Sequence, residues 1–412
     1  MLRNILNLSL VFSAVMGFTY AQNSTLVRPV MKSSDPAIQR IAQNSKKYEL
    51  QIVLTQILKN ETNKVQFERS TYQLDESFYF YPASTVKLPI AVLALQKLRA
   101  LQKAGIDIDA ETPFKIFDAN GNLVIGHDPT HPEGKLTIAH LIKKIFLVSD
   151  NTASNYLFDF LGVSYIHREL YNKGLKQIQI THKFLAGDLN EKSGAYTFFG
   201  PDGVVRYQQP PIKDTPIIKK RNLKGIKKGI GFFQKGEYIA LPFDFTAKNR
   251  ASLLDLEGVL KRVVFPELFT DKEQFELETS DYEFLNHWMS RHTLESRAPD
   301  YNTLDYWDSY GKFFIYGDQK GQMNDQLRIT NKVGYAYGTL TDIAYIDDKE
   351  YGLSFFLSAT LLVNENEIFN DDTYEYDSLG IPFLAALGRQ VLAHLRNSQP
   401  IQSSNKPRAT KR

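Results

Sequence analysis

Ser84 and Lys87 stand three residues apart, Ser149-Asp150-Asn151 follows further along, and Lys332-Val333-Gly334 comes later still. Together these residues can carry out acyl transfer without a histidine. A serine hydroxyl is a weak nucleophile and needs a base. A lysine can be that base only where burial or a second cation lowers its pKa. On a helix, positions i and i+3 share a face, so the Lys87 amine can reach the Ser84 hydroxyl. A serine at a helix start also meets the positive dipole end and free backbone N–H groups, which favour an anionic oxygen. The Ser149 hydroxyl can hand a proton to a leaving nitrogen. The Asn151 amide can donate to a substrate carbonyl and orient Lys87. Lys332 supplies the second cation. On a strand, positions 332 and 334 face one way and Val333 the other. Gly334 then permits close approach of substrate, and the Tyr335 N–H can complete an oxyanion hole with that of Ser84.

Taken singly these signals carry little. A Ser-x-x-Lys spacing arises about once by chance in a chain of this composition. Ser, Asp and Asn all suit an ordinary helix cap. Lys-x-Gly alone says almost nothing, and the weight rests on the three motifs in this order.

The elements that must position them read as follows. A first helix is expected over 36–46, then β-rich runs over 47–57 and 65–74 joined by the hairpin signal Asn60-Glu61-Thr62-Asn63. A helix from about Ala83 to Ala104 carries the nucleophile at its start. Asn120-Gly121 marks a tight turn. Thr137 caps a helix through Leu147, and another runs from Thr152 to Leu161. Pro201-Asp202-Gly203 suggests a hairpin within an irregular stretch, 186–245. That stretch also holds the basic run Lys213, Lys219, Lys220, Arg221, Lys224, Lys227 and Lys228, read as an exposed insertion rather than a patch for an anionic polymer. Helices resume over 247–263 and 279–291, strands over 335–345 and 352–363, and a last helix over 382–395. The order implies an α/β (α+β sandwich) class: an antiparallel sheet flanked by helices, with both ends of the chain meeting in it, plus an all-helical half.

The residues around the motifs extend the pattern. Phe80-Tyr81-Pro82-Ala83-Ser84-Thr85-Val86-Lys87, the run Leu136 to Asn155 ending Ser-Asp-Asn-Thr-Ala-Ser-Asn, and Lys332 to Ile346 together resemble the class A β-lactamases of the serine β-lactamase and penicillin-binding group. The resemblance covers roughly 36–396. The Ser149–Lys332 separation exceeds the family's, which implies insertions near 190–240 and 294–325. It implies Ser84, Lys87, Ser149 and Lys332 as catalytic residues and Asn151, Gly334, Tyr335 and Asn190 as substrate-binding ones. The implied substrate is a β-lactam or a peptidoglycan-type peptide.

Two departures stand out. The family's E-x-x-L-N, whose Glu activates the deacylating water, is matched by Ala186-Gly187-Asp188-Leu189-Asn190, with Ala186 at the place of the Glu. Val333 replaces the Thr whose hydroxyl helps bind the substrate carboxylate. Three activities stay open: a β-lactamase, slow or narrow; a related hydrolase of a peptide or ester; and a non-catalytic module that binds cell-wall peptides.

Composition sets outer bounds. The chain has 412 residues, 43% hydrophobic and 23% charged, with net charge +3. That is ordinary globular material, and nothing in it calls for nucleic acid. Residues 1–21 read as a secretory signal cleaved before Gln22, so export to the periplasm is expected, with no membrane span afterwards. A leader over 22–35 and a disordered basic tail over 397–412 flank the catalytic unit. There is no Cys, which excludes disulfides, thiolate metal sites and a lipidated N-terminal Cys. His127 and His131 have H-x₃-H spacing, but Pro129 between them disfavours a helix, and no metal or cofactor is implied. A monomer is expected.

Overall fold

The computed structural model describes residues 26–59, 65–184, 193–213, 221–301 and 304–398. The signal and tail segments, the 60–63 hairpin and Ala186, Asp188 and Asn190 lie outside them.

A five-stranded antiparallel sheet forms the backbone of the fold. Its strands are β1 (Gln51–Lys59) and β2 (Val65–Tyr72) near the start of the chain, with β11 (Leu327–Ala336), β12 (Thr339–Asp348) and β13 (Leu353–Leu362) near its end. The order is β11-β12-β13-β1-β2, so the two ends of the chain meet at β13 and β1, in register from Gln51 opposite Thr360. Side chains alternate across the sheet. Ile52, Leu54, Phe355, Leu357 and Leu361 face a core closed by α1 (Val27–Val30), α2 (Pro36–Ala42) and α9 (Ile381–Ser398). Val53, Ile343 and Phe356 face the larger core of the helical half. That half holds α3 (Lys87–Lys103), α4 (Ile138–Val148), α5 (Asn151–Leu161), α6 (Val163–Asn172), α7 (Leu253–Val264) and α8 (Thr279–Ser290). Within the expected leader, Val27 and Val30 are buried on the α9 side.

Smaller sheets fill the middle of the chain. β3 (Phe114–Phe117) and β4 (Leu123–Ile125) flank Asn120-Gly121, and β5 (Ala195–Phe199) and β6 (Val205–Gln209) flank Pro201-Asp202-Gly203, in the order β4-β3-β5-β6. Beyond them β7 (Lys227–Lys228) pairs with β10 (Phe243–Asp244), and β8 (Gly231–Gln234) with β9 (Glu237–Ile239) and β14 (Ile368–Phe369). Part of the basic run is tied to the body by ion pairs, with Lys224 and Lys227 still largely exposed. Lys228 is buried against Glu49 at 2.5 Å, Lys224 meets Asp75 at 3.1 Å, and Lys227 meets Asp244 at 3.6 Å. These three pairs offset part of the run's charge, and Lys219 and Lys220 lie outside the described residues.

Local departures from the expected elements have physical causes. The first long helix is split: Ala83–Val86 is a 3₁₀ turn and the α-helix starts at Lys87. Helix α7 starts at Leu253, not near 247, because the Ser252 hydroxyl accepts the Asp255 N–H and caps it there. The run 335–345 is two strands, not one. Tyr337 and Gly338 both have positive φ, 51° and 73°, and form the two-residue hairpin between β11 and β12. Two consecutive positive φ values match the right-handed strand twist, so Lys332 lies inside an edge strand.

Candidate active site

The 3₁₀ turn sets Ser84 over Lys87, because side chains at i and i+3 eclipse at three residues per turn. Thr85 locks the turn: its N–H and its hydroxyl both donate to the Pro82 carbonyl, at 3.1 and 2.6 Å. From Tyr79 to Gln96 every residue is buried except Ser84, which is half-exposed. The turn thus presents one hydroxyl to solvent on an otherwise closed segment.

Strand β11 runs against this turn, and Gly334 makes the approach possible. A Cβ at 334 would lie 2.6 Å from the Ser84 nitrogen, 2.7 Å from that of Thr85 and 2.8 Å from the Pro82 oxygen. All three are backbone atoms that cannot rotate away. Gly334 therefore admits the nucleophile's own turn, where the sequence suggested close approach of substrate. The contact sets the Ser84 N–H beside Gly334, the residue before Tyr335.

Ser149 links two helices. It ends α4 in the left-handed conformation, φ 58° and ψ 37°, a cost that single non-glycine residues bear chiefly where the surroundings hold them. Asp150 follows at once as the cap of α5, accepting the Ala153 N–H at 2.8 Å, and Lys144 sits 3.7 Å from its carboxylate. The Ser149 hydroxyl is thereby held between two amines. Lys332 Nζ donates to it at 2.8 Å and Lys87 Nζ at 3.3 Å. Lys87 Nζ makes two shorter bonds, to the Ser149 carbonyl at 2.5 Å and Asn151 Oδ1 at 2.6 Å.

Burial decides the protonation of both lysines. It brings Lys87 down to about 7 from an ordinary 10.5, with Asp150 pulling weakly the other way. Burial and then the neighbouring Lys87 push Lys332 well below its ordinary value. A neutral amine has two N–H donors and one lone pair. The three bonds that Lys87 Nζ donates are those of the ammonium; loss of one proton keeps the two shorter ones, to Ser149 O and Asn151 Oδ1, and frees a lone pair that can accept a proton. The arrangement can deprotonate a serine and return the proton through Ser149.

Behind β11, residues that the sequence did not single out form a second buried relay. Lys312 Nζ donates to Asn331 Oδ1 at 2.8 Å, and Asn331 Nδ2 donates to Asp342 Oδ1 at 2.9 Å. Burial pushes the Asp342 carboxyl up to about 6 and Lys312 down to about 7. Val333 sits on this side, buried within the α9 core and opposite Asp342 on β12. The alternation expected of Lys332, Val333 and Gly334 is the alternation observed.

The other side of Lys87 is apolar. The Phe184 ring lies against its amine, with the nitrogen 4.6 Å from the ring centroid. Asn155 holds that segment in place: its Oδ1 accepts the Phe184 N–H at 2.8 Å and its Nδ2 donates to the Phe184 carbonyl at 3.4 Å. Among the described residues, no carboxylate hydrogen-bonds Lys87. Asn155 closed the quoted Ser-Asp-Asn-Thr-Ala-Ser-Asn run, but nothing in the sequence tied it to Phe184. Tyr335 and Asn151 open instead onto a cleft of about 770 Å³ beside the nucleophile, also lined by Phe184.

No curated protein matches the chain. It is similar to solved β-lactamases from Burkholderia phymatum (16% identical, TM-score 0.48, covering 87% of this chain and 97% of that one) and Xanthomonas campestris (17%, 0.47, 88% and 98%). It is likewise similar to a class A β-lactamase from Mycobacterium abscessus (16%, 0.47, 87% and 99%). The sequence model of the β-lactamase enzyme family matches residues 34–373, a span that takes in all three motifs, and the chain belongs to that family.

Proposed function

We propose that this protein is a serine hydrolase that opens a β-lactam or a related amide through an acyl-enzyme on Ser84, and that it releases the acyl group slowly. The observation that carries this reading is the Lys87 amine. One side of it is bound to the Ser149–Asn151 hydrogen-bonding groups and the other is covered by the Phe184 ring.

The steps follow from the geometry. Ser84 Oγ attacks the carbonyl carbon as its proton passes to neutral Lys87. The carbonyl oxygen becomes an oxyanion held by the N–H groups of Ser84 and Tyr335. As the C–N bond breaks, the leaving nitrogen takes a proton from Ser149 Oγ. Lys332 and Lys87, both bonded to that oxygen, restore the proton. The product is an ester on Ser84. Its hydrolysis needs a base beside an incoming water. Lys87 is the base available among the described residues, and the Phe184 ring covers one side of its amine. Export through the residue 1–21 signal belongs to this reading.

Intact-protein mass spectrometry after exposure to a penicillin tests it. The expected result is a persistent adduct with the mass of the whole drug, absent in Ser84→Ala. Rapid turnover without accumulation would overturn the slow-release part. No adduct and no turnover with any acylating probe would overturn the enzyme itself.

A further inference from the structure

The cleft beside the nucleophile carries two charges that no described residue neutralises. Lys248 and Asp372 both line it. The hydrogen bond made by Lys248 Nζ is to the Tyr337 hydroxyl, at 3.1 Å. Among the described residues, neither side chain has an ion-pair partner, and the two do not pair with each other. Lys183, which also lines the cleft, is by contrast paired with Asp159 at 2.9 Å. Two opposite charges left open on the walls of one cleft therefore call for a ligand that brings both counter-charges.

The walls between them are tyrosine. Tyr335 packs edge-on against Tyr376 at 5.1 Å between centroids, and Tyr376 against Tyr374 at 5.3 Å. Tyr376 is fixed through its hydroxyl, which accepts the Gly338 N–H at 2.7 Å. Such faces attract a substrate ammonium, and they stack on flat or apolar parts of an arm.

The position of the cleft says which half of the substrate enters it. It is lined by Asn151 and Tyr335 but not by Ser149 or Lys332. The Asn151 amide can donate to a substrate carbonyl and the Tyr335 N–H to the oxyanion, so in the acyl-enzyme reading the cleft receives the acyl half. Its volume of about 770 Å³ is that of a site for a whole small molecule rather than a single methyl group.

We propose that the cleft selects substrates whose acyl arm ends in a free amino-acid zwitterion, with the arm's carboxylate on Lys248 and its ammonium on Asp372 and the tyrosine faces. This rests on the acyl-enzyme reading above for its orientation, though not for the binding itself. An arm with a carboxylate alone would face Asp372 without compensation, and one with an ammonium alone would face Lys248.

Two cephalosporins that share a nucleus and leaving group test the proposal, one with an aminoadipyl arm and one with a thienylmethyl arm. The expected second-order acylation rate is about tenfold or more higher for the aminoadipyl arm, the size of one good charge-assisted contact. The ratio of the two rates should fall toward one in Lys248→Met, in Asp372→Asn, and when the arm is N-acetylated. The ratio cancels general damage to the fold. Equal rates with both arms, or a ratio that survives both substitutions, would overturn the proposal. Titration of Ser84→Ala with the 6-benzylamide of 2-aminoadipic acid separates the two readings. Binding that weakens about tenfold in Ser84→Ala/Lys248→Met supports the cleft even if no acyl-enzyme ever forms. No binding there would overturn the cleft even if Ser84 acylates.

Discussion

The two sides of the Lys87 amine are built differently. On one side Ser149 and Asn151 hydrogen-bond it at 2.5 to 3.3 Å, and Lys332 reaches the same Ser149 hydroxyl at 2.8 Å. On the other an aromatic ring closes over it, fixed through its backbone by Asn155. The polar side has what acylation needs: a lone pair, a proton relay and a second cation. Among the described residues, the apolar side offers no carboxylate to activate a water. Under the proposed reading, attack on a substrate and attack by water draw on separate parts of one site, and among the described residues the first part alone is furnished with polar groups.

Removing the amine gives the largest expected effect. Lys87→Met should lower the acylation rate by about 10² to 10⁴, the range of general-base catalysis. Burial depresses Lys87 to about 7, so the wild-type rate should climb as pH rises through about 7 and level off above it, and that limb should vanish in the variant. Stability should move in the same direction. Between about 7 and 10.5 the unfolded chain binds a proton at this lysine that the folded chain does not, so stability rises with pH across that window. Lys87→Met should flatten the slope, measured by urea unfolding from pH 6.5 to 9.5. A pH profile identical in the two proteins would show that Lys87 is not the base.

Filling the empty half is the next largest. Phe184→Glu sets a carboxylate on the backbone that Asn155 already holds, beside Lys87. The acyl-enzyme on Ser84 should decay about 10²-fold faster, the low end of what a positioned base supplies. Phe184→Ala is the control, since it opens the same space to water without a base. Its adduct should decay only a few-fold faster. If the two variants decay alike, access and not the missing base limits release.

The contrast between the two sides also divides what could be read from the sequence. Lys87, Ser149 and Lys332 are spaced along most of the chain, yet their types and order pointed to one cluster, and hydrogen bonds join them in the fold. Each must be one particular residue to do its chemistry. The sheet and its flanking helices followed from period and caps, as at Thr137, whose hydroxyl accepts the His140 N–H at 3.1 Å. Phe184 was not legible. Matching Leu189-Asn190 to the family's pattern drew attention to Ala186, whereas the ring on Lys87 is placed by a carboxamide 29 residues earlier in the chain. The tyrosine cleft was hidden for a related reason. Tyr337 and Tyr376 are brought together by a hairpin and the approach to α9, and neither leaves a periodic trace. The 3₁₀ start at Ala83 and the left-handed Ser149 depend on packing against β11 and on Asp150, which local propensity does not report.

Gly334→Ala has a smaller expected effect. The added methyl meets three backbone atoms of the nucleophile's turn at 2.6 to 2.8 Å, so strand and turn must part by several tenths of an ångström. Overpacking of this kind costs about 1–3 kcal/mol. Moving the N–H groups of Ser84 and Tyr335 apart should slow acylation about tenfold, since catalysis at an oxyanion hole depends closely on donor placement. A variant with wild-type acylation and only a lowered melting temperature would show that the oxyanion is held elsewhere.

Val333→Thr has the smallest expected effect and bears on which face of β11 meets the substrate. The family resemblance puts a threonine there whose hydroxyl helps bind the substrate carboxylate. In this structure Val333 is only 6% exposed, packed in the α9 core on the face away from Lys332. Asp342 lies opposite it on β12, and both oxygens of that carboxylate already accept bonds, from Asn331 Nδ2 and from the Phe314 N–H. A hydroxyl at 333 would therefore enter apolar surroundings with its nearest acceptor largely used. Valine and threonine differ little in volume, so the loss is the cost of burying the hydroxyl, about 1–2 kcal/mol. The urea midpoint should fall with an unchanged slope, and the KM for an anionic cephalosporin should stay as it was. A KM that falls several-fold would mean that the hydroxyl reaches the cleft. Position 333 would then belong to the substrate side of the strand, and anionic substrates would be held through the residue that this chain has made apolar.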